Sequence, residues 1–119
     1  MKTIQMPSES EYVLTAMYKE FLDRYKNGIP RNKAKIFGHQ SNIENLVPEI
    51  WEEDLKGLLD ELKEFGLISA TGGSNIYQYV SLTTIGISYM EYRAGNKIED
   101  AIKSLVSLKS LKSLLPSKN

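Results

Sequence analysis

Three cations alternate at Arg31, Lys33 and Lys35, and in an extended backbone such alternation sets them on one face, where they would meet a line of phosphates. They belong to an acid-free run, Arg24, Lys26, Arg31, Lys33 and Lys35, so residues 31–40 form the candidate surface for nucleic acid. The competing reading is a charged surface loop with no ligand. Tyr77 and Tyr79 also alternate, on the face opposite Val80 and Leu82. Turned outward they could stack on a base or meet a protein partner; turned inward they pack beneath the N-terminal or C-terminal helix. Lys56 is a further candidate cation, set among acids.

Other constellations carry less chemistry. His39 is the one histidine and has no glutamate or cysteine at ligand spacing, so it reads as a hydrogen-bonded or solvated side chain. Glu52, Glu53 and Asp54 are consecutive, and consecutive helical residues point in different directions, which is unsuited to holding a metal. Thr71-Gly72-Gly73-Ser74 lacks the lysine and following helix of a phosphate-binding loop and reads as a turn. No nucleophile motif accompanies the serines, and the expectation is a protein without catalytic residues, metal or cofactor.

The elements that position these residues follow from periodicity. Tyr12, Leu14, Met17, Tyr18, Phe21, Leu22 and Tyr25 recur at helical spacing, with Ser8 or Ser10 as the expected cap and Asn27-Gly28 and Pro30 as the stop. Residues 31–40 read as loop, with a short extended piece over 34–37. Ser41-Asn42-Ile43-Glu44 matches a capping box opening a short helix to about Val47, before Pro48 forces a turn. Trp51, Leu55, Leu58, Leu62 and Phe65 follow at spacings of four, three, four and three, which predicts a helix with one buried stripe. Gly66 closes it, with Leu67 packing back on its last turn. Residues 67–70 and 76–82 predict a hairpin, and Thr83 or Thr84 caps a helix bearing Ile85, Tyr89, Met90 and Tyr92 that Gly95-Asn96 ends. The last helix, 98–115, repeats leucine every three residues, so its apolar surface drifts about 60 degrees per repeat into a slanted band. That band suits an oblique helix crossing, either on its own domain or, as favoured here, in a homodimer through Ile98, Ile102, Leu105, Leu108, Leu111 and Leu115.

The chain has 119 residues, enough for one core. The expected division is a domain over 1–96, followed by a helix and polar tail over 97–119. With no cysteine there is neither a disulfide nor a thiolate metal site. The longest apolar run is a few residues and the opening MKTIQMPSES lacks a signal-peptide core, so a soluble, cytoplasmic protein without a membrane partner is expected. Fifteen basic and fifteen acidic side chains cancel, yet the eight acids between Glu44 and Glu64 and the four lysines after Asp100 make the charge lopsided.

Helix, short helix, turn, long helix, hairpin, helix is the order of a winged helix-turn-helix, mainly α with a small β-hairpin and here an added C-terminal helix. Two stretches carry a resemblance: Trp51-Glu-Glu-Asp-Leu-Lys-Gly-Leu-Leu-Asp-Glu-Leu-Lys-Glu-Phe-Gly-Leu-Ile68 resembles the helix-to-wing signature of winged-helix proteins, and Leu82-Thr-Thr-Ile-Gly-Ile-Ser-Tyr-Met90 the element after the wing. Together with residues 96–111 they are similar to the YjcQ-like proteins of Gram-positive bacteria and their prophages, over roughly residues 43–111. Residues 31–40 have no counterpart in that pattern. The resemblance implies a DNA-associated regulator of bacterial or prophage origin, bound to double-stranded DNA. Against it, the acids of the long helix would meet phosphates in a groove, which favours contact through residues 31–35 and the wing. The rival expectation is a protein-interaction module using the acidic helix face and the tyrosines.

Overall fold

The computed structural model describes residues 6–93 apart from Ser74. The expected C-terminal helix and all six of its interface candidates, Ile98, Ile102, Leu105, Leu108, Leu111 and Leu115, lie outside the described residues.

The first helix, α1 (Ser8–Lys26), starts on Pro7 without a side-chain cap, so neither serine has the expected role. Ser10 is instead fully buried and donates to the Glu61 carboxylate. Every residue from Tyr12 to Tyr18 is buried, so α1 is the axis of the core and not a one-sided amphipathic helix, while Tyr25 near its end is exposed. The buried Tyr12 hydroxyl donates to Glu49, and burial first, then that carboxylate, pushes its pKa well above the ordinary tyrosine range.

The segment expected as loop contains a single helical turn, α2 (Arg31–Ala34), then strand β1 (Ile36–Gly38). Pro30 precedes that turn with extended backbone, and its carbonyl accepts from Lys33 and Ala34, a helix start that proline favours because the missing donor is not needed there. A second short helix, α3 (Gln40–Glu44), begins one residue before the expected capping box. His39 is its cap, the ring Nδ1 accepting from the Ser41 amide at 3.1 Å, so Ser41 sits inside the first turn. The helix ends at Glu44, short of Val47.

The long helix, α4 (Glu52–Glu64), buries Leu55, Leu58, Leu59 and Leu62. Its expected stripe is right in the middle and wrong at both ends: Trp51 is the residue before the helix and is 52% exposed, and Phe65, just past it, is 38% exposed. Gly66 has φ +78° and Leu67 is fully buried. The Leu67 amide donates to the Leu62 carbonyl and the Gly66 amide to that of Lys63, the paired bonds of a left-handed helix stop that glycine adopts without a side-chain clash.

Strands β2 (Ile68–Gly72) and β3 (Tyr77–Leu82) form the hairpin, and α5 (Thr84–Arg93) follows. The sheet has a third strand beyond the expected pair. β1 joins β3 antiparallel, giving the order β1-β3-β2. Ile68, Ala70, Val80 and Leu82 face the core.

Candidate nucleic-acid interface

The basic segment lies at one end of the sheet. The Lys35 carbonyl accepts from Leu82, the last residue of β3, and Leu82 also pairs with Ile68, so α2 abuts the base of the hairpin and not its tip. Because residues 31–34 are helical, the alternation of Arg31, Lys33 and Lys35 does not place them on one extended face. Arg31 and Lys33 are exposed and Lys35 is half-buried. Arg31 lies over the Phe21 ring at 6.0 Å, which brings α2 against the exposed C-terminal turn of α1 that carries Lys26. Among the described residues, none of Lys26, Arg31 and Lys33 is in an ion pair.

Arg24 is a structural member of the same run. Its Nη1 donates to the carbonyls of Ala34 at 3.2 Å and Ile36 at 2.7 Å, its Nε binds Glu20 at 2.9 Å, and its guanidinium stacks 4.7 Å from the Phe37 centroid. One planar fork thus clamps α2 and β1 onto α1, a task suited to arginine's several fixed donors. The spacing from Arg24 to Glu20 announces the ion pair, but nothing in the sequence announces the carbonyls.

Tyr77 and Tyr79 do not share a face. The register with β2 slips between Thr71 and Gly72, leaving Gln78 as an extra residue in β3, and such a bulge reverses the alternation locally. Tyr77 is therefore buried on the α4 side, while Tyr79 stands 44% exposed opposite Thr71 on the outer face of the sheet. The amide of Tyr77 is satisfied by the buried Gln40 side chain, whose Oε1 accepts at 3.0 Å. Its hydroxyl donates to Asp60, and the ammonium groups of Lys56 and Lys63 lie 4.6 and 5.4 Å from its ring centroid. Lys56 is held by Asp60 at 2.9 and 3.1 Å. The hydrogen bond to Asp60 raises its pKa above the usual lysine value. Burial works to raise the Asp60 pKa, but the Tyr77 hydroxyl and the Lys56 ammonium outweigh it and hold the carboxyl below its ordinary value. Lys56 and Tyr77 are thus occupied in joining α4 to the hairpin. The i, i+4 spacing of Lys56 and Asp60 is legible in the sequence.

Compared with protein-family models, curated proteins and solved structures, the chain matches none of them. At the base of the sheet, Gly66 and Leu67 adjoin Thr83, whose hydroxyl donates to the Gly66 carbonyl at 2.6 Å. The C-terminus of α4 is thus near the basic segment. Its exposed first-turn acids, Glu52, Glu53 and Asp54, lie at the other end of a 13-residue helix about 20 Å long. Two further acids of α4 are engaged within the fold, Asp60 by Tyr77 and Lys56 and Glu61 by Ser10. The acidic first turn of α4 and the basic segment thus lie at opposite ends of that helix, with Glu64 exposed at the end nearer the cations. Among the described residues no helix is long and apolar enough to cross a membrane, and no group of three potential metal ligands gathers.

Proposed function

We propose that the chain is a winged-helix domain that binds duplex DNA through its phosphates at the Lys26, Arg31 and Lys33 pole, as a non-enzymatic transcriptional regulator of bacterial or prophage origin. Two things support the fold reading: the succession α1, β1, α3, α4, β2, β3 with sheet order β1-β3-β2, and the helix-to-wing resemblance at 51–68. The observation that carries the binding reading is the separation of charge. Among the described residues Lys26, Arg31 and Lys33 are in no ion pair, and they stand about a helix length from the cluster Glu52, Glu53 and Asp54 in the first turn of α4. Contact of this kind positions the protein without reading bases, since α4, which would enter the groove in a helix-turn-helix complex, presents carboxylates there.

The test is fluorescence anisotropy of a labelled random duplex at about 50 mM and about 200 mM salt. Three phosphate contacts predict a loss of about 40-fold in affinity between those salts, and Arg31→Ala with Lys33→Ala should flatten the salt slope by about two. Absence of binding at the lower salt, or an unchanged slope in the double variant, would overturn the proposal.

A second reading is favoured by one observation. Trp51 is 52% exposed beside Glu52, Glu53 and Asp54, a combination of aromatic surface and negative charge that suits a basic protein partner better than DNA. In that reading Tyr79, on the outer face of the sheet, forms no continuous surface with α4. Glu52→Lys with Glu53→Lys separates the two: partner capture is lost in the second reading, whereas DNA affinity rises or is unchanged in the first.

A further inference from the structure

The end of α1 and the start of α2 present more than positive charge. Every residue from Tyr25 to Lys33 is exposed and none is acidic. Within that run Tyr25 is 57% and Ile29 39% exposed, an apolar pair set among Lys26, Arg31 and Lys33. Tyr25 ends a ladder of rings along α1. Its plane lies 12° from that of the buried Phe21 with centroids 6.4 Å apart, and Tyr18 stacks on Phe21 in turn at 6.1 Å. The ladder reaches the cations of α2, because the Arg31 guanidinium lies over the same Phe21 ring.

The backbone under these side chains is fixed by the fold. The amides of Gly28 and Ile29 donate to the carbonyls of Tyr25 and Arg24 at 3.1 and 3.0 Å, and Gly28, at φ +93°, turns the chain back toward α2. The Arg24 fork holds α2 against α1, which sets Arg31 and Lys33 relative to Tyr25 and Lys26. The acids in this half of α1 are already engaged, Asp23 by Lys19 at 2.8 Å and Glu20 by Arg24 at 2.9 Å. An exposed aromatic ring flanked by cations suits a single strand, which offers an open base face for the ring and phosphates for the charges. A closed duplex offers the phosphates but keeps its base faces stacked on one another. We propose that Tyr25 is a stacking position for an unpaired base, with the neighbouring phosphates on Lys26, Arg31 and Lys33, so that this pole takes single-stranded DNA in preference to a closed duplex. The inference rests on the phosphate-binding reading above and adds to it the one contact that the interior of a duplex withholds.

The test is an anisotropy titration of the full-length chain with a labelled oligothymidylate of about 15 nucleotides and with the random duplex of equal length, each at about 50 mM and about 200 mM salt. Phosphate contacts alone favour the duplex, whose charge is denser, so at the higher salt, where that term has faded, the single strand should bind the tighter of the two. Tyr25→Ala should weaken oligothymidylate binding at least about fivefold, by the same factor at both salts, because stacking releases no counterions. It should leave duplex binding at the parent value, which also shows that the variant is folded. Tyr25→Phe should bind as the parent does, and an abasic strand of equal length should not distinguish the parent from Tyr25→Ala. Equal affinity of the parent and Tyr25→Ala for oligothymidylate, an equal loss on single strand and duplex, or a duplex preference at the higher salt would each overturn the stacking position. The phosphate reading survives those outcomes if Arg31→Ala with Lys33→Ala still flattens the salt slope. No binding of either DNA at the lower salt would overturn both.

Discussion

The base of the hairpin and the basic segment touch each other, yet the chain builds them in opposite ways. At the hairpin base each position has a local backbone task. Thr83 accepts from the Gly86 amide at 2.9 Å as the cap of α5 and donates to the Gly66 carbonyl, and its own amide binds the Leu67 carbonyl at 3.2 Å. Gly86 lets α5 approach so closely that a methyl there would overlap the Leu67 carbonyl oxygen. The basic segment is held from a distance, by Arg24 on the carbonyls of Ala34 and Ile36, by Leu82 on Lys35, and by Gln40 on Tyr77. Local tasks fix residue types at fixed spacings, whereas distant clamps leave a segment free in composition and dependent on its partners.

Substitutions can break this contrast. The largest effect is expected of Gly86→Ala, because the obstacle is backbone on both sides and cannot rotate away. Overpacking of this kind costs about 3 kcal/mol, and a chemical denaturation midpoint within error of the parent would refute the close approach. Arg24→Ala should cost about 2 kcal/mol, since it removes two carbonyl bonds and an aromatic contact and leaves the acceptors of α2 and β1 unpaired. Arg24→Lys should recover little of this, because one ammonium cannot serve Glu20 and both carbonyls at once. Full recovery by lysine would mean that charge alone, and not the planar fork, holds the segment.

The same contrast explains what was legible. The buried middle of α4, the Gly66 stop, the hairpin and the Thr83 cap all follow from local chemistry, and the sequence announces each. The α2 turn and the third strand do not, because residues 31–38 have no periodicity of their own and acquire structure from Arg24 and β3. Trp51 and Phe65 fit a helical stripe by spacing, but one precedes the helix and the other follows it, so spacing alone assigned them a burial they lack. The shared face of Tyr77 and Tyr79 failed for a single reason: one extra residue at Gln78 inverts the alternation, and Gly72-Gly73 is the hint that a bulge was near. Of the candidate site, the positive charge of the Arg31 and Lys33 pole was legible, while its helical geometry, the split of Tyr77 and Tyr79 onto opposite faces and the distance from Glu52, Glu53 and Asp54 were not.

The smallest expected effect tests the other long-range join, where Asp60 links α4 to the hairpin. Its folded-state pKa lies below the unfolded value of about 3.9, so its stabilising contribution is present in full above that pH and is lost as pH falls through the folded value. Asp60→Asn keeps an acceptor for the Tyr77 hydroxyl and removes only the charge that holds Lys56. The stability gap between parent and variant should therefore be constant from neutral pH down to about 5 and close below about 4. It should amount to less than about 1 kcal/mol, because the Asp60 side chain is 47% exposed and solvent screens the pair. In a Tyr77→Phe background the gap should shrink further, since the hydroxyl that helps to hold Asp60 ionised is gone. A gap that persists unchanged at pH 3 would mean that Asp60 acts through shape and not charge, and the hairpin would then be joined to α4 by the buried Tyr77 ring alone.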